Sequence, residues 1–384
     1  MKQETRAVTV GEEPDYTNCG DVVMPVHLAS TYARQKVGVP TGGHEYSRTD
    51  NPTRQAMERK MAALENAGYA LAYASGLAAE TSLILSLIKT GDHIVAFNDL
   101  YGGTRRLFLE VFTRNYGVEF SFVDATDPGN VDKAVRPGTA MIWLETPTNP
   151  LLKLCDIRAI SKIARAEKCL LVVDNTFMSP FFQTPLDLGA DISLHSTTKY
   201  INGHCDSVGG CIMLSDKGIY EKLKFVQNAA GAVLSPFESY LVMRGAKTLP
   251  LRMRAHEANA MKLAAYLDHR PEVRVVHYPG LATHPQHSLA RRQMSGFGGM
   301  ISFELDTDLE RSMAFVERMK LFKIAESLGG VESLIEFPAV MTHASIPPEK
   351  RREVGLSDSL IRISVGVENP DDLIGDFEQA FDRL

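Results

Sequence analysis

Asp191-Ile-Ser-Leu-His-Ser-Thr-Thr-Lys199-Tyr-Ile-Asn-Gly-His-Cys-Asp206 is an apolar strand that runs out into a cluster of hydroxyls and then a lysine. Just before it, Leu170-Leu-Val-Val-Asp174-Asn-Thr176 is a second apolar run, and it ends in a carboxylate. Working back toward the N-terminus, short apolar runs at 69–73, 93–97, 119–123, 140–144 and 169–173 read as buried strands. Helical patterns at 76–88, 104–115 and 157–167 separate them. This β-α-β-α order predicts an α/β fold with a mostly parallel sheet covered by helices on both faces.

An amphipathic helix at 55–67, with Met57, Met61 and Leu64 on one side, opens this region. The stretch before it, residues 1–48, is rich in Gly, Thr, Pro and Tyr, lacks helical periodicity and reads as an arm that wraps its own domain or reaches a partner. Residues 207–214 read as a Gly-broken strand, and 238–269 as mostly helical. Beyond that, 299–305 and 360–365 read as antiparallel strands, with helices at 309–319 and 371–384. The expected division is an arm over 1–48, a large domain over 49–240 and a smaller α+β domain over 241–384. At about 150 residues per domain, a chain of 384 residues accommodates this.

Composition excludes several classes. With 44% hydrophobic and 23% charged residues, the chain is not intrinsically disordered as a whole. A net charge of −6 argues against a general nucleic-acid or anionic-membrane surface. Cys19, Cys155, Cys169, Cys205 and Cys211 are odd in number and sparse, without a CxxC pair, so neither a disulfide framework nor a structural zinc site is expected, and a cytoplasmic setting is. Met1 to Tyr16 has no apolar core of a secretory signal, and no apolar run reaches the roughly 20 residues of a membrane helix. Gly296-Phe-Gly-Gly299 has the wrong spacing for a dinucleotide fingerprint, Arg244-Gly-Ala-Lys-Thr248 lacks the glycines of a P-loop, and His256-Glu257 lacks the second His of a zincin. His204-Cys205 stands alone as a metal-ligand pair.

The positive signals converge on one chemistry. Ser196 and Thr198 are two apart and face the same way if the segment is extended, which suits an oxyanion beside the Lys199 amine. An amine next to a phosphate site points to an aldehyde that carries a phosphate, pyridoxal phosphate (PLP). Such a ring needs a carboxylate at its nitrogen, and Asp174 lies at the carboxyl end of a buried strand. It needs backbone donors for its phosphate, and Tyr73-Ala-Ser75-Gly76-Leu77 is a strand-to-helix junction. It needs a face partner, and Tyr101 in Leu100-Tyr-Gly-Gly-Thr104 follows the next strand.

With these motifs in order, the chain resembles the Cys/Met-metabolism family of PLP-dependent enzymes from Tyr46-Ser-Arg48-Thr-Asp-Asn-Pro-Thr53 to Leu360-Ile-Arg362-Ile-Ser364. The resemblance implies the aspartate-aminotransferase-like fold (fold type I). It implies that Lys199 bonds the cofactor aldehyde, Asp174 pairs with the ring nitrogen, Tyr101 stacks on the ring and can act as an acid or base, and Asn149 in Glu145-Thr-Pro-Thr-Asn-Pro150 bonds the ring hydroxyl and lies near substrate. Ser75, Gly76, Leu77, Ser196 and Thr198 would hold the phosphate, completed by Tyr46 and Arg48 from a neighbouring subunit of a homotetramer. Arg362 would bind the substrate carboxylate, helped by Ser327 in Ala325-Glu326-Ser-Leu-Gly-Gly330, and Glu326 would meet a distal ammonium. Thr197 and Cys205 stand where the family pattern has Ala and Ser.

The implied reaction is γ-elimination of cystathionine, with cystathionine synthesis by γ-replacement as an alternative and methionine cleavage as a further one. Gly103 stands where methionine-cleaving members carry Cys, and the stretch from Glu332 to Ser345 looks more like γ-lyases than γ-synthases. Outside the family, an oxidoreductase lacks its glycine fingerprint, and a silent scaffold would have no need of Lys199, Asp174 and Arg362 together.

Overall fold

A computed structural model describes residues 1–341, 355, 357–382 and 384. A seven-stranded sheet is built from β1 (Tyr69–Tyr73), β2 (His93–Phe97), β3 (Glu119–Val123), β4 (Thr139–Glu145), β5 (Leu170–Asp174), β6 (Ile192–Ser196) and β7 (Gly210–Leu214). Its order is β1-β7-β6-β5-β4-β2-β3, and only β7 runs against its neighbours. The expected spans of β1, β2 and β3 hold to the residue. β1 and β2 are buried apolar runs, whereas β3 is an edge strand that alternates Phe120 and Phe122 with Glu119 and Ser121 and, contrary to expectation, is not buried.

Both faces of this sheet are covered. Leu71, Phe97, Trp143, Val173 and Leu194 lie in one core, and Ala70, Ala72, Cys211 and Met213 pack on Met57 and Met61 in another. Met57 and Met61 lie on a helix that begins earlier than the pattern alone predicts. The short helix α1 (Gln3–Thr9), unforeseen within the arm, precedes it, and α2 itself spans Pro52–Leu64. The Asn51 side chain accepts from the amides of Thr53 (3.0 Å) and Arg54 (3.3 Å), and Pro52 occupies the first turn, so cap chemistry sets the start. The next helix, α3 (Gly76–Leu87), is capped by Ser75 Oγ, which accepts from Ala78 N–H at 3.0 Å. A helix over Lys217–Ala230, capped by Asp216 and closed by Gly231 at φ +78°, was not foreseen.

The Gly-broken strand is shorter than expected. Gly209 leaves the ladder because its carbonyl accepts from Thr197 N–H (3.0 Å) and its N–H donates to Thr198 Oγ1 (3.0 Å). These bonds tie the lysine-bearing turn to the start of β7.

The C-terminal part carries a second sheet of β8 (Val273–His277), β9 (Met300–Leu305), β10 (Lys323–Ile324), β11 (Leu334–Glu336) and β12 (Leu360–Ser364), in the order β10-β11-β12-β9-β8. As expected, β9 and β12 pair antiparallel. Phe303, Phe315, Phe377 and Ile363 centre its core. The helix Leu249–Asp268 links the two parts: Arg252 donates to the carbonyls of Tyr200 (2.6 Å) and Ile201 (3.1 Å), while His256 Nδ1 reaches the carbonyl of Val365 (2.7 Å). Among the described residues no helix is long and apolar enough to cross a membrane.

Candidate active site

The carboxyl ends of β1, β4, β5 and β6 open on one side of the large sheet, where open α/β sheets bind ligands. There a cavity of about 370 Å³ is walled by the first turn of α3, by Asp174 and Ser196, and by Ser327 and Arg362 from the second sheet's side. Of the fourteen residues singled out from sequence, all but Tyr46 and Arg48 line it.

At one end, Ala78 N–H is taken by Ser75 Oγ and Ala79 N–H by the Ser75 carbonyl, which leaves the leading amides of α3, those of Gly76 and Leu77, to face an anion at the helix N-terminus. Ser196 lies against Gly76, and Thr198 lines the same cavity, but not by the alternation expected of an extended strand. β6 ends at Ser196, and Thr198 sits in the turn that follows, with Thr197 buried between them. Hydrogen bonds between Thr198 and Gly209, rather than strand alternation, bring the Thr198 hydroxyl to the cavity that Ser196 reaches from the end of β6.

In the middle of the cavity Asp174 Oδ1 accepts from Thr176 N–H (2.9 Å) and Thr176 Oγ1 (2.6 Å). Thr176 Oγ1 in turn accepts from Ser196 N–H (2.9 Å), so the carboxylate is fixed to both β5 and β6. Burial pushes the Asp174 carboxyl up, and the Thr176 bonds oppose this. Asp174 makes no ion pair among the described residues, so its charge is left for a cation in the cavity.

Lys199 Nζ donates to Ser327 Oγ at 2.8 Å. Burial, reinforced by the nearby Arg362 charge, brings this amine down to about 8. Ser327 itself sits at φ +131°, a conformation that costs a non-glycine residue on the order of 1–3 kcal/mol. Its hydroxyl bond to Lys199 and its carbonyl bond to Arg362 Nη2 (2.9 Å) hold it there. Gly329 is required behind it, because a Cβ would lie 2.6 Å from Tyr200 N.

Arg362, 3% exposed, is no surface ion pair. Its Nη1 donates to Asn149 Oδ1 (2.7 Å), its Nη2 pairs with Glu336 Oε2 (2.8 Å), and its Nε is buried without a partner among the described residues. The guanidinium therefore keeps donors for a carboxylate. Tyr101, 41% exposed, lines the cavity, with its N–H on Glu145 Oε2 (2.7 Å); partial burial raises its phenol. Gly103 has a packing reason to lack a side chain, since a Cβ there would run into the Tyr101 ring. Glu326 is exposed at the cavity wall.

Tyr46 and Arg48 lie elsewhere, on the exposed arm, with the Arg48 guanidinium 5.5 Å from the Tyr46 ring centre. Glu80, Glu145, Thr176 and Glu336 also line the cavity and carried no assignment from sequence. Glu80 had a visible signal, being the single charged residue of α3. Glu336 had none, because it meets Arg362 through the pairing of β11 with β12. Residues 342–345, the end of the stretch read as γ-lyase-like, lie outside the described residues.

This donor set fits PLP: a neutralisable amine for the aldehyde, a carboxylate without a cation for the ring nitrogen, helix amides and hydroxyls for the phosphate, and an aromatic ring beside them.

A family model described as "Cys/Met metabolism PLP-dependent enzyme" matches residues 4–382. A cystathionine beta-lyase of Coxiella burnetii is 51% identical, covering 98% of this chain and 97% of that protein. A cystathionine gamma-lyase of Dictyostelium discoideum is 50% identical, covering 99% of this chain and 97% of that protein. The crystal structure of cystathionine gamma-lyase from Lactobacillus plantarum complexed with L-serine superposes with a TM-score of 0.95 at 47% identity, covering 100% of this chain and 99% of that one.

Proposed function

We propose, for a chain that belongs to the Cys/Met metabolism PLP-dependent enzyme family, that its reaction is the γ-elimination of L-cystathionine with water to L-cysteine, 2-oxobutanoate and ammonia. The fold is that of the family, the cofactor is PLP, and the substrate is an amino acid. The observation that carries the choice of substrate is the lining of one cavity, which brings together Arg362 for a carboxylate, Lys199 and Asp174 for the cofactor, and exposed Glu326 for a second ammonium.

Bound PLP supplies a carbonyl that condenses with amines and a protonated ring that takes up electrons released at substrate carbon. Around it, the chain's own groups do the rest. Arg362 grips the α-carboxylate and thereby fixes which substrate bond faces the ring. Lys199 would hold the cofactor aldehyde, and its free Nζ takes the Cα proton and moves protons to and from Cβ as the γ-sulfur leaves. Ser327 Oγ, already bonded to Nζ, orients the freed amine. The Tyr101 hydroxyl can give or take a proton at the departing sulfur. Asn149 braces Arg362 and would bond the ring hydroxyl. Ser75, Gly76, Leu77, Ser196 and Thr198 hold the phosphate.

Synthesis of cystathionine by γ-replacement uses the same groups and remains the alternative; methionine cleavage is the further one. Profiling the purified enzyme with cystathionine, with an O-acyl-homoserine plus cysteine, and with methionine tests the order. Cystathionine should be turned over fastest, and a larger kcat/KM for either of the others would overturn the reading. Glu326→Val isolates the selector. One screened ion pair is worth up to about 1 kcal/mol, and displacement of water by substrate strengthens it, so kcat/KM for cystathionine should fall roughly five- to tenfold. Methionine cleavage should hold or rise. Equal loss on both substrates, or no loss, would show that Glu326 does not select.

The arm, with Tyr16, Val22, Leu28, Val37 and Tyr46 all exposed, supports an assembly in which Tyr46 and Arg48 enter a neighbour's site. A homotetramer of such dimers in the cytoplasm is the proposed setting, and the division at residues 48/49 and 240/241 is the proposed organisation. Mixing inactive Lys199→Ala subunits with inactive Arg48→Ala subunits should restore part of the activity, because a hybrid dimer assembles one intact site. No recovery after verified subunit exchange would refute sharing.

A further inference from the structure

One acid in the cavity has no part in the reaction described. Glu80 is 3% exposed and lies one turn into α3 from Gly76 and Leu77. Its Oε1 accepts from Thr104 Oγ1 at 2.9 Å, while its Oε2 is buried without a partner among the described residues. The side chain lines the same cavity as Asp174, near enough for the Asp174 charge to act on it. The charged and titratable groups around it are acids or a phenol: Asp174 from β5, Glu145 from β4 and Tyr101 from the loop after β2. No Lys, Arg or His pairs with Glu80 among the described residues.

A buried carboxyl without a cation is costly unless it stays protonated or a positive ligand arrives. Burial first, and the Asp174 charge second, push Glu80 well above the usual carboxylate range. Two such acids cannot both ionise in an empty low-dielectric pocket, but a cation between them favours ionisation of both. Among the groups that enter this cavity, the substrate ammonium that Glu326 would meet belongs at the opening. The protonated nitrogen of the cofactor ring is the cation that Asp174 serves.

We propose that Glu80 is a second carboxyl for the ring nitrogen of bound PLP, acting with Asp174 to favour the protonated ring. This rests on the assignment of Asp174 to that nitrogen. Glu80 is a positioning and charge-tuning residue rather than one that touches reacting atoms.

The test is made on apoenzyme, by titrating PLP and its carbocyclic analogue, in which CH replaces the ring nitrogen. Glu80→Gln keeps the acceptor for Thr104 and removes only the ionisable group. It should weaken PLP roughly five- to fiftyfold, as expected for a charge-assisted contact, and leave the analogue within about twofold. Glu80→Thr should give the same ratio, and serves if Glu80→Gln does not fold. Equal weakening of both cofactors, which is what a packing role gives, or no weakening of either, would overturn the proposal. Asp174→Asn is titrated alongside. If it discriminates the two cofactors and Glu80→Gln does not, Glu80 alone is misassigned. If neither variant discriminates, the assignment of Asp174 falls with it.

Discussion

Lys199→Ala should give a folded protein that binds cofactor weakly and does not turn over. Among the described residues the side chain makes one hydrogen bond, to Ser327 Oγ, and it belongs to no hydrophobic core, so its loss leaves the fold standing. What is lost is an amine held at about 8, of which roughly a tenth is free base at pH 7; a solvated lysine would offer a few parts in ten thousand. General base catalysis alone contributes roughly 10²–10⁴-fold, and the same amine also anchors the cofactor, so kcat should drop by at least about 10⁴. Retention of more than trace γ-elimination, measured as 2-oxobutanoate formed, would remove Lys199 from the mechanism.

Asp174→Asn comes next in expected effect. The amide oxygen can still accept from Thr176 N–H and Oγ1, so the link between β5 and β6 survives and the melting temperature should move little. The charge does not survive, and a neutral amide cannot keep the ring nitrogen protonated. Cofactor affinity should weaken, and exchange of the substrate Cα proton with solvent should slow by roughly 10²–10³-fold, the scale of a preorganised electrostatic contact. Near-normal exchange at full cofactor occupancy would show that Asp174 is not the partner of the ring nitrogen.

Both residues were legible in sequence for one reason: each lies within a few residues of the strand that presents it. A strand end followed by hydroxyls and a lysine is local information, and so is an aspartate closing an apolar run. Ser75, Gly76 and Leu77 belong to the same class, because a cap and a helix start are written in adjacent residues. Contacts made by pairing were not legible. Glu336 meets Arg362 only because β11 lies beside β12, and nothing near either residue encodes that register. Thr198 reaches the cavity by a turn tied to Gly209, where strand alternation was the expected cause. The Lys217–Ala230 helix was legible as well, with Ile219, Leu223 and Val226 at helical spacing behind the Asp216 cap, although only Leu223 and Gln227 are buried in the single chain. Tyr46 and Arg48 carry no local signal of their own: only the family resemblance assigns them a role, and within the single chain they do not line the cavity.

Relatives of nearly equal similarity carry the names of a γ-lyase and a β-lyase, so the bond that breaks is the point on which the account stands or falls. The direct measurement is the identity of the products when purified enzyme with PLP is given L-cystathionine alone. Cleavage at the γ-carbon predicts 2-oxobutanoate and cysteine in equal amounts with ammonia. Pyruvate and homocysteine in their place would mean that the β-carbon bond breaks, and would contradict it.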